Sequence, residues 1–287
     1  MTIQQAKERL LFQLNPIYEQ REAANIADWV LEHLTGWKKI DRVINKTLPL
    51  TSVQSEILER YITQLSDHRP VQYVLGEAWF QGMPFFVNES TLIPRPETEE
   101  LVEWLINDYR HFQGKELVIL DIGTGSGCIP ISIKKRLPFA RVMSCDISKE
   151  AIQVAAKNSA ALGAEVEFVE SNILDERIWK EYPALDIIIS NPPYIPQSEQ
   201  ASMSANVIHH EPHLALFVPE NNALIFYEAI VQLAERKLKR QGSIYYEIHE
   251  NLATAVTELL EKNGFHDLTV RKDMQGKDRM IRCRKTI

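Results

Sequence analysis

The run Leu117-Val118-Ile119-Leu120-Asp121-Ile122-Gly123-Thr124-Gly125-Ser126-Gly127-Cys128 decides how the rest of the chain is read. Its first half is apolar and reads as a buried strand. Three glycines at alternate positions then make a turn, and the apolar spacing over Ile129 to Arg136 predicts a helix. A strand, glycine-rich turn and helix in this order put the turn at the carboxyl end of a parallel strand, where open α/β sheets hold ligands. The dinucleotide fingerprint needs G-x-G-x-x-G, but here the third glycine falls one residue early, at Gly127, with Cys128 in the required place. There is no Gly-Lys-Ser/Thr either, so the pattern excludes a P-loop.

Working outward, the alternation continues to the end of the chain. Strands are predicted at Leu117 to Ile122, Arg141 to Asp146, Val166 to Val169, Asp186 to Ser190, Ser243 to Ile248, Leu268 to Arg271 and Arg279 to Arg284, which fits one open α/β sheet. Helices are predicted between them: Ile129 to Arg136, Lys149 to Leu162 with Ser148 as cap and Gly163 as stop, Ala223 to Arg240, and Leu252 to Asn263.

Two carboxylates flank the glycine turn. Asp121 precedes it and suits a ligand carrying an ammonium group. Asp146 ends the next strand, where an acid can take both hydroxyls of a ribose. Together they describe a site for S-adenosylmethionine. After the third strand, Glu170-Ser171-Asn172-Ile173 is the expected place for polar and apolar contacts to adenine, with Ile173 as the apolar one.

The predicted strand Asp186 to Ser190 ends in Asn191-Pro192-Pro193-Tyr194. Two prolines stiffen the backbone and remove two N–H donors, leaving carbonyls free to accept. The Asn191 side chain offers another acceptor and Tyr194 a flat ring to stack on a planar group. Such a site suits a planar NH2 conjugated to a carbonyl or an aromatic ring. With Asn191 and the Pro192 carbonyl each accepting one N–H, the nitrogen lone pair faces the methyl sulfonium, and catalysis is positioning plus electrostatics.

On the other side of the turn, residues 1 to 70 read as a small helical domain, with Thr51 and Gln54 forming a capping box and Val53, Ile57, Tyr61 and Leu65 recurring on one face. His33, beside Trp29 and Trp37, reads as a packed or half-exposed residue and not as a ligand. Residues 71 to 95 read as a β-hairpin linker, with Val71 to Leu75 as one β-prone piece, and 96 to 287 as the catalytic domain. In Arg95-Pro96-Glu97-Thr98-Glu99-Glu100 the glutamates sit in a first helical turn, where dipole complementation and a functional role are both open.

Composition sets the outer limits. The 287 residues carry a net charge of −7, 45% hydrophobic and 25% charged side chains, those of an ordinary folded chain. An acidic chain opposes polyanion binding, so nucleic acid is disfavoured as the main partner. Residues 1 to 73 hold nine basic and nine acidic side chains, so the whole −7 belongs to the remainder. The start lacks a secretory h-region and no apolar run approaches membrane-spanning length, which leads to the expectation of a cytoplasmic protein without membrane contact. Cys128, Cys145 and Cys283 are too few and too scattered for a bridge framework or a metal knuckle, so no metal is expected.

The chain resembles the PrmC/HemK family over nearly its whole length. The resemblance lies in the helical first domain, Leu92-Ile93-Pro94-Arg95-Pro96-Glu97-Thr98-Glu99, Asp121 to Gly127, Asn191-Pro192-Pro193-Tyr194, Glu211-Pro212 with Ala215-Leu216, and Asp273-x-x-Gly276-x-x-Arg279. It implies a class I S-adenosylmethionine-dependent methyltransferase with a seven-stranded, Rossmann-like sheet. The implied acceptor is the glutamine of the Gly-Gly-Gln tip of class 1 peptide chain release factors, methylated at N5. It further implies cofactor contacts at Gly123, Thr124, Gly125, Ser126, Gly127, Asp146 and Asn191, substrate contacts at Asn191, Pro192, Pro193 and Tyr194, and a wall over the site that includes Arg95. The catalytic expectation falls on Asn191, Pro192 and Tyr194. Three places depart from the family pattern: Asn172, the run Phe217 to Leu224, and His249 after the fifth strand. His209, His210 and His249 are expected in surface or hinge roles, since amide methylation needs no base. The competing readings are a nucleic-acid adenine N6-methyltransferase, which would flip its base into the same tetrapeptide, and a non-catalytic factor-binding module.

Overall fold

The computed structural model describes residues 1–114 and 116–286, and of Ser202 only the main chain. The chain divides into two units, Met1–Glu77 with Ser204–His210, and Ala78–Met203 with Glu211–Ile287.

The first unit contains α1 (Ile3–Leu14), α2 (Gln20–Thr35), α3 (Lys39–Ile44), α4 (Ser52–Ser66) and α5 (Val71–Leu75). Thr51 and Gln54 form the expected capping box, and Thr2 with Gln5 forms a second one at α1. Leu10, Leu14, Ile26, Val30, Leu58 and Leu65 build its core. On α4 the buried stripe is Leu58, Ile62 and Leu65, while Val53 is exposed. A strict four-residue spacing advances about 40° per step on a helix of about 3.6 residues per turn, so the expected row drifts off the buried face at its Val53 end. His33 lies exposed, its ring edge-on to Tyr61.

Val71–Leu75 is helical and not β as expected. Pro70 supplies a helix-compatible entry, Gly76 ends the turn in the left-handed region at φ 67°, and Val71, Tyr73 and Val74 are buried. The helical unit therefore runs to Glu77, past the expected boundary at residue 70. The hairpin itself is short: β1 (Ala78–Phe80) pairs antiparallel with β2 (Met83–Phe85) across Gln81-Gly82. Both turn residues have positive φ, the two-residue geometry that matches strand twist. Phe80 and Phe85 are buried against Trp104 and Leu105, so the hairpin belongs to the second unit's core.

That unit continues with α6 (Pro96–Tyr109), β3 (Leu117–Ile122), α7 (Cys128–Arg136), β4 (Ala140–Asp146), α8 (Lys149–Leu162), β5 (Glu167–Glu170), β6 (Leu185–Ser190) and β7 (Ile195–Pro196). After α9 (Ala205–His210), which lies in the first unit, come β8 (Phe217–Val218), α10 (Ile225–Lys237), β9 (Leu238–Glu247), α11 (Ala253–Lys262), β10 (Phe265–Lys272) and β11 (Asp278–Lys285). Seven strands form one sheet in the order β10-β11-β9-β6-β3-β4-β5, parallel from β9 to β5 and antiparallel at β11 and β10. Two apolar layers cover the sheet. One gathers α6 and α7 around Trp104 and Ile131, the other α10 and α11 around Tyr227 and Ile230.

α10 stops at Lys237, short of the expected Arg240, because Leu238 already pairs with Leu185 and is buried. The small β7·β8 pair, at the ends of the stretch that contains α9, was not legible as alternation in two-residue strands.

Candidate active site

Register decides what meets at the sheet's carboxyl edge. Ile122 lies opposite Cys145 on one side and Ser190 on the other, and Asp146 lies opposite Glu170. The residues just beyond these ends are Gly123, Asn191, Ile147 and Ser171, and all four line one cavity of about 400 Å³. That volume is in the range of small-molecule sites.

The glycine turn is held from below. Gly123 and Thr124 donate their N–H groups to the Cys145 carbonyl, and the Thr124 hydroxyl lies 2.5 Å from that of Ser144. Gly123, Gly125 and Gly127 all have positive φ. A Cβ at Gly125 would meet no atom within 4 Å, whereas one at Gly127 would lie 2.9 Å from Ile131 and 3.0 Å from Ala155. Gly127 thus serves close helix packing beneath the turn, and Gly123, Thr124, Gly125 and Ser126 line the cavity.

Asp146 is the acid of this half. Its Oδ2 accepts the Gly125 N–H and its Oδ1 the Ser148 N–H, each at 2.9 Å. Burial raises its pKa, and the main-chain donors pull the other way. Each oxygen keeps a lone pair beyond these bonds. Ile147, exposed by 48%, lines the cavity with Ile173 and Leu174. A backbone-lined turn, an acid free to take a diol and an apolar slot for a flat ring fit S-adenosylmethionine.

Asp121 is placed differently from the expectation. It is wholly buried under the turn and does not line the cavity. Its Oδ2 accepts from the Ser144 hydroxyl at 2.6 Å, and burial pushes its pKa up to about 7. The reason is the strand's alternation: the side chain before the turn points into the layer beneath it. Asp121 therefore supports the turn from below and, contrary to the expectation, does not face a ligand's ammonium.

The opposite wall comes from segments distant in sequence. Arg95 lines the cavity and its Nη2 meets Glu211 Oε1 at 2.5 Å, while Glu211 Oε2 accepts the Ile93 N–H. Glu211 is buried, so the pair joins the Leu92 to Pro96 stretch to Glu211-Pro212. The three glutamates near the start of α6 serve other contacts: Glu99 accepts from the Gln81 N–H, Glu100 from the Met274 N–H and Glu97 from the Gln275 side-chain amide.

Asn191, Pro192 and Pro193 line the cavity, and Tyr194 does not. The Tyr194 hydroxyl donates to Glu247 Oε1 at 3.1 Å and its ring stands edge-on to His249. The expected stacking face is thus turned into the protein, because Glu247 at the end of β9 supplies a buried acceptor. The Asn191 Nδ2 donates to Thr98 Oγ1 at 3.1 Å, and Thr98 donates to Glu247 Oε2 at 2.6 Å. Glu247 is 2% exposed, and burial raises its pKa against the pull of both hydroxyls and of Arg279. His249 pairs with Glu199, and His210 contacts the Asp67 carbonyl inside the first unit.

Reading the sequence missed Thr98, Glu247, Leu214 and Phe226. Thr98 stands inside a quoted motif, but only the fold brings it to Asn191. Leu214 and Phe226 carry no local signal, since they reach the cavity from the loop after Glu211 and from the start of α10.

The model of the PrmC N-terminal domain matches residues 5–76 and that of the methyltransferase small domain residues 98–216. A release factor glutamine methyltransferase of Flavobacterium psychrophilum is 44% identical over 98% of this chain and 99% of its own. One of Bacteroides thetaiotaomicron is 38% identical over 93% and 95%. Among solved structures, the hMettl16 catalytic domain in complex with MAT2A 3'UTR hairpin 6 aligns with TM-score 0.55 at 16% identity over 84% of either chain. A methyltransferase of Pyrococcus furiosus aligns with TM-score 0.50 at 17% identity over 72% of this chain and 91% of that one. These two likenesses describe the fold.

Proposed function

Since this chain belongs to the release factor glutamine methyltransferases, we propose that it moves a methyl group from S-adenosylmethionine to the side-chain amide nitrogen of the Gly-Gly-Gln glutamine in class 1 release factors. The observation that carries the reading is the shared cavity edge at which the glycine turn and Asn191-Pro192-Pro193 stand side by side. When bound, the donor supplies a methyl on a sulfonium, an electrophile that needs no activation by the protein.

The protein's part is to hold and aim. Among the residues that line the cavity, Gly123 to Ser126 would present main chain to the donor's amino-acid end, Asp146 would take the ribose hydroxyls, and Ile147, Ile173 and Leu174 would enclose the base. Asn191 and the Pro192 carbonyl accept the two N–H groups of the glutamine amide, which turns its nitrogen toward the methyl. Acceptors fixed on that NH2 stabilise positive charge growing on nitrogen, and no general base is required before methyl transfer. Arg95, held by Glu211, forms the wall beside the acceptor.

The helical unit docks the release factor. It leaves Phe12, Ile40, Val43 and Ile44 exposed, an apolar set that its own core does not use. Replacing Ile40, Val43 and Ile44 together by serine is expected to raise KM for an intact release factor and to leave methylation of a Gly-Gly-Gln peptide unchanged. An unchanged KM removes the docking role. Among the described residues no helix is long and apolar enough to cross a membrane, and we place the enzyme in the cytoplasm, where release factors act. A likeness at 16% identity to an RNA-bound structure does not favour nucleic acid as acceptor, given the charge of −7. The direct test is mass spectrometry of a release factor incubated with this protein and the donor. The expected gain is one CH2 on the tip glutamine; methylation of adenine in nucleic acid and not of the factor rejects the reading.

A further inference from the structure

We propose that Thr98 and Glu247 fix which end of the Asn191 side-chain amide faces the acceptor, and so act as positioning residues for methyl transfer. The inference rests on the reading of Asn191 as the group that receives the acceptor's NH2.

The two ends of a carboxamide have nearly the same shape, and only their hydrogen-bond partners tell them apart. An Asn191 that turned its own NH2 to the glutamine NH2 would set donor against donor. The orientation is settled two residues away. Glu247 ends β9 with its carboxyl group buried, and it receives hydroxyls on both oxygens: Thr98 on Oε2 at 2.6 Å and Tyr194 on Oε1 at 3.1 Å. Burial raises the pKa of Tyr194, so the phenol keeps its proton and donates. Burial raises the Glu247 pKa; the hydroxyls of Thr98 and Tyr194 and then Arg279, itself held by Asp273 and the Ile248 carbonyl, favour the charged carboxylate, and Glu97 opposes it.

A carboxylate that accepts from Thr98 consumes the only proton that hydroxyl has. Thr98 Oγ1 can then only accept, and the group facing it at 3.1 Å must be the Asn191 NH2. The Asn191 oxygen is left for the cavity, which both Asn191 and Thr98 line. Hydrogen-bond polarity is thus passed from a buried acid through one hydroxyl to the amide at the reacting centre.

The sequence shows why this goes unseen: Thr98 lies in the third position of α6 and Glu247 at the end of β9, separated by 149 residues. The helix start, with Pro96 in its first turn, brings Thr98 to the strand edge that carries Asn191 and Glu247.

The test compares the full-length wild type with Thr98→Val, Thr98→Ser and Glu247→Gln, using an unmethylated release factor and labelled donor. Valine keeps the shape of threonine without the hydroxyl. Glutamine keeps the shape of Glu247 but can donate to Thr98, which frees the Thr98 proton for the Asn191 oxygen. Thr98→Val and Glu247→Gln are expected to lower kcat about 100-fold. Affinity for S-adenosylhomocysteine by calorimetry is expected to hold, and Thr98→Ser to restore most of kcat. Wild-type kcat in Thr98→Val, a loss confined to KM, or a Thr98→Ser variant as impaired as valine overturns the proposal.

A second measurement needs no turnover. In the S-adenosylhomocysteine complex, NMR is expected to show slowed exchange of the Asn191 side-chain amide protons in the wild type and fast exchange in Thr98→Val. Equal exchange in both removes the relay. A wild type that leaves the release factor unmethylated removes instead the reading of the acceptor, and the exchange experiment still decides the orientation.

Discussion

The two halves of the cavity are built from different materials. Around Gly123 to Gly127 the polar groups are mostly main chain, held by sheet register and by one acid, Asp146, whose bonds are to backbone N–H groups. Around Asn191 the polarity is set by side chains from three distant segments, Thr98, Asn191 and Glu247. The first half is made by one glycine turn together with the ends of the two neighbouring strands, β4 and β5, and because its polar groups are mostly main chain it tolerates little change in backbone conformation. The second half depends on side-chain identity, so it is sensitive to the loss or reversal of a single hydrogen bond. On the proposed reading, the donor would be held mainly by main-chain geometry at adjacent strand ends and the acceptor by convergence of side chains distant in sequence.

The comparison breaks most sharply at Asn191. Asn191→Ala is expected to lower kcat about 1,000-fold, the cost of losing a polar group aimed at developing charge, while affinity for S-adenosylhomocysteine changes little. A parallel fall in that affinity would show the two halves to be one unit.

Asp121 tests the layer under the glycine turn. Its pKa rises from 3.8 to about 7 on folding. The native state then binds the proton more tightly than the unfolded chain, so this group's contribution to stability is most favourable below pH 4. It is lost progressively as pH rises to about 7 and stays lost above. Asp121→Asn removes that loss. Its stability relative to wild type is expected to improve by about 3 kcal/mol between pH 4 and 7, read as the difference in denaturant midpoints of the ligand-free proteins. A difference independent of pH would mean that the carboxyl is charged at low pH in the folded protein.

Gly127→Ala is expected to destabilise the second unit by about 2 kcal/mol, because φ is in the left-handed region and the added methyl meets α7 and α8. Gly125→Ala carries a similar backbone strain but meets open space, so its effect should appear more in donor affinity than in packing. Equal losses of thermal midpoint with unchanged affinity in both would make the turn purely structural.

The smallest effect is expected at Asp146. Asp146→Asn keeps one acceptor but places an NH2 against the Gly125 or Ser148 N–H, and about tenfold weaker binding of S-adenosylhomocysteine should follow. kcat at saturating donor should remain near wild type if the two halves act separately.

Much of this was readable before any fold was known. The alternation after Gly114, the glycine turn, the acid at the second strand end and the rigid Asn-Pro-Pro-Tyr each carry a local signal, because strand burial, positive φ and missing N–H groups are properties of neighbouring residues. Other readings failed for reasons of the same kind. Val71 to Leu75 looked β-prone through its valines, yet a proline entry and a glycine exit made one helical turn whose valines are buried. Asp121 looked like a ligand because it adjoins the turn, but side-chain direction in a strand alternates, and that alternation turned it inward. Tyr194 looked like a stacking platform, and the acceptor that claims its hydroxyl lies on another strand.

By itself, the chain's order of residues determined an open α/β sheet with a glycine turn after its first strand and an acceptor-rich tetrapeptide after its fourth, since both motifs are complete within a few residues. Tertiary structure alone decided the rest: that Thr98 and Glu247 meet at Asn191, that Arg95 is clamped by Glu211, and that Asp121 lies below the cavity and not in it. Hydrogen bonds act over about 3 Å whatever the separation along the chain. A contact between residues 98 and 247 therefore exists only once strand register and helix packing have brought their backbones to the same edge.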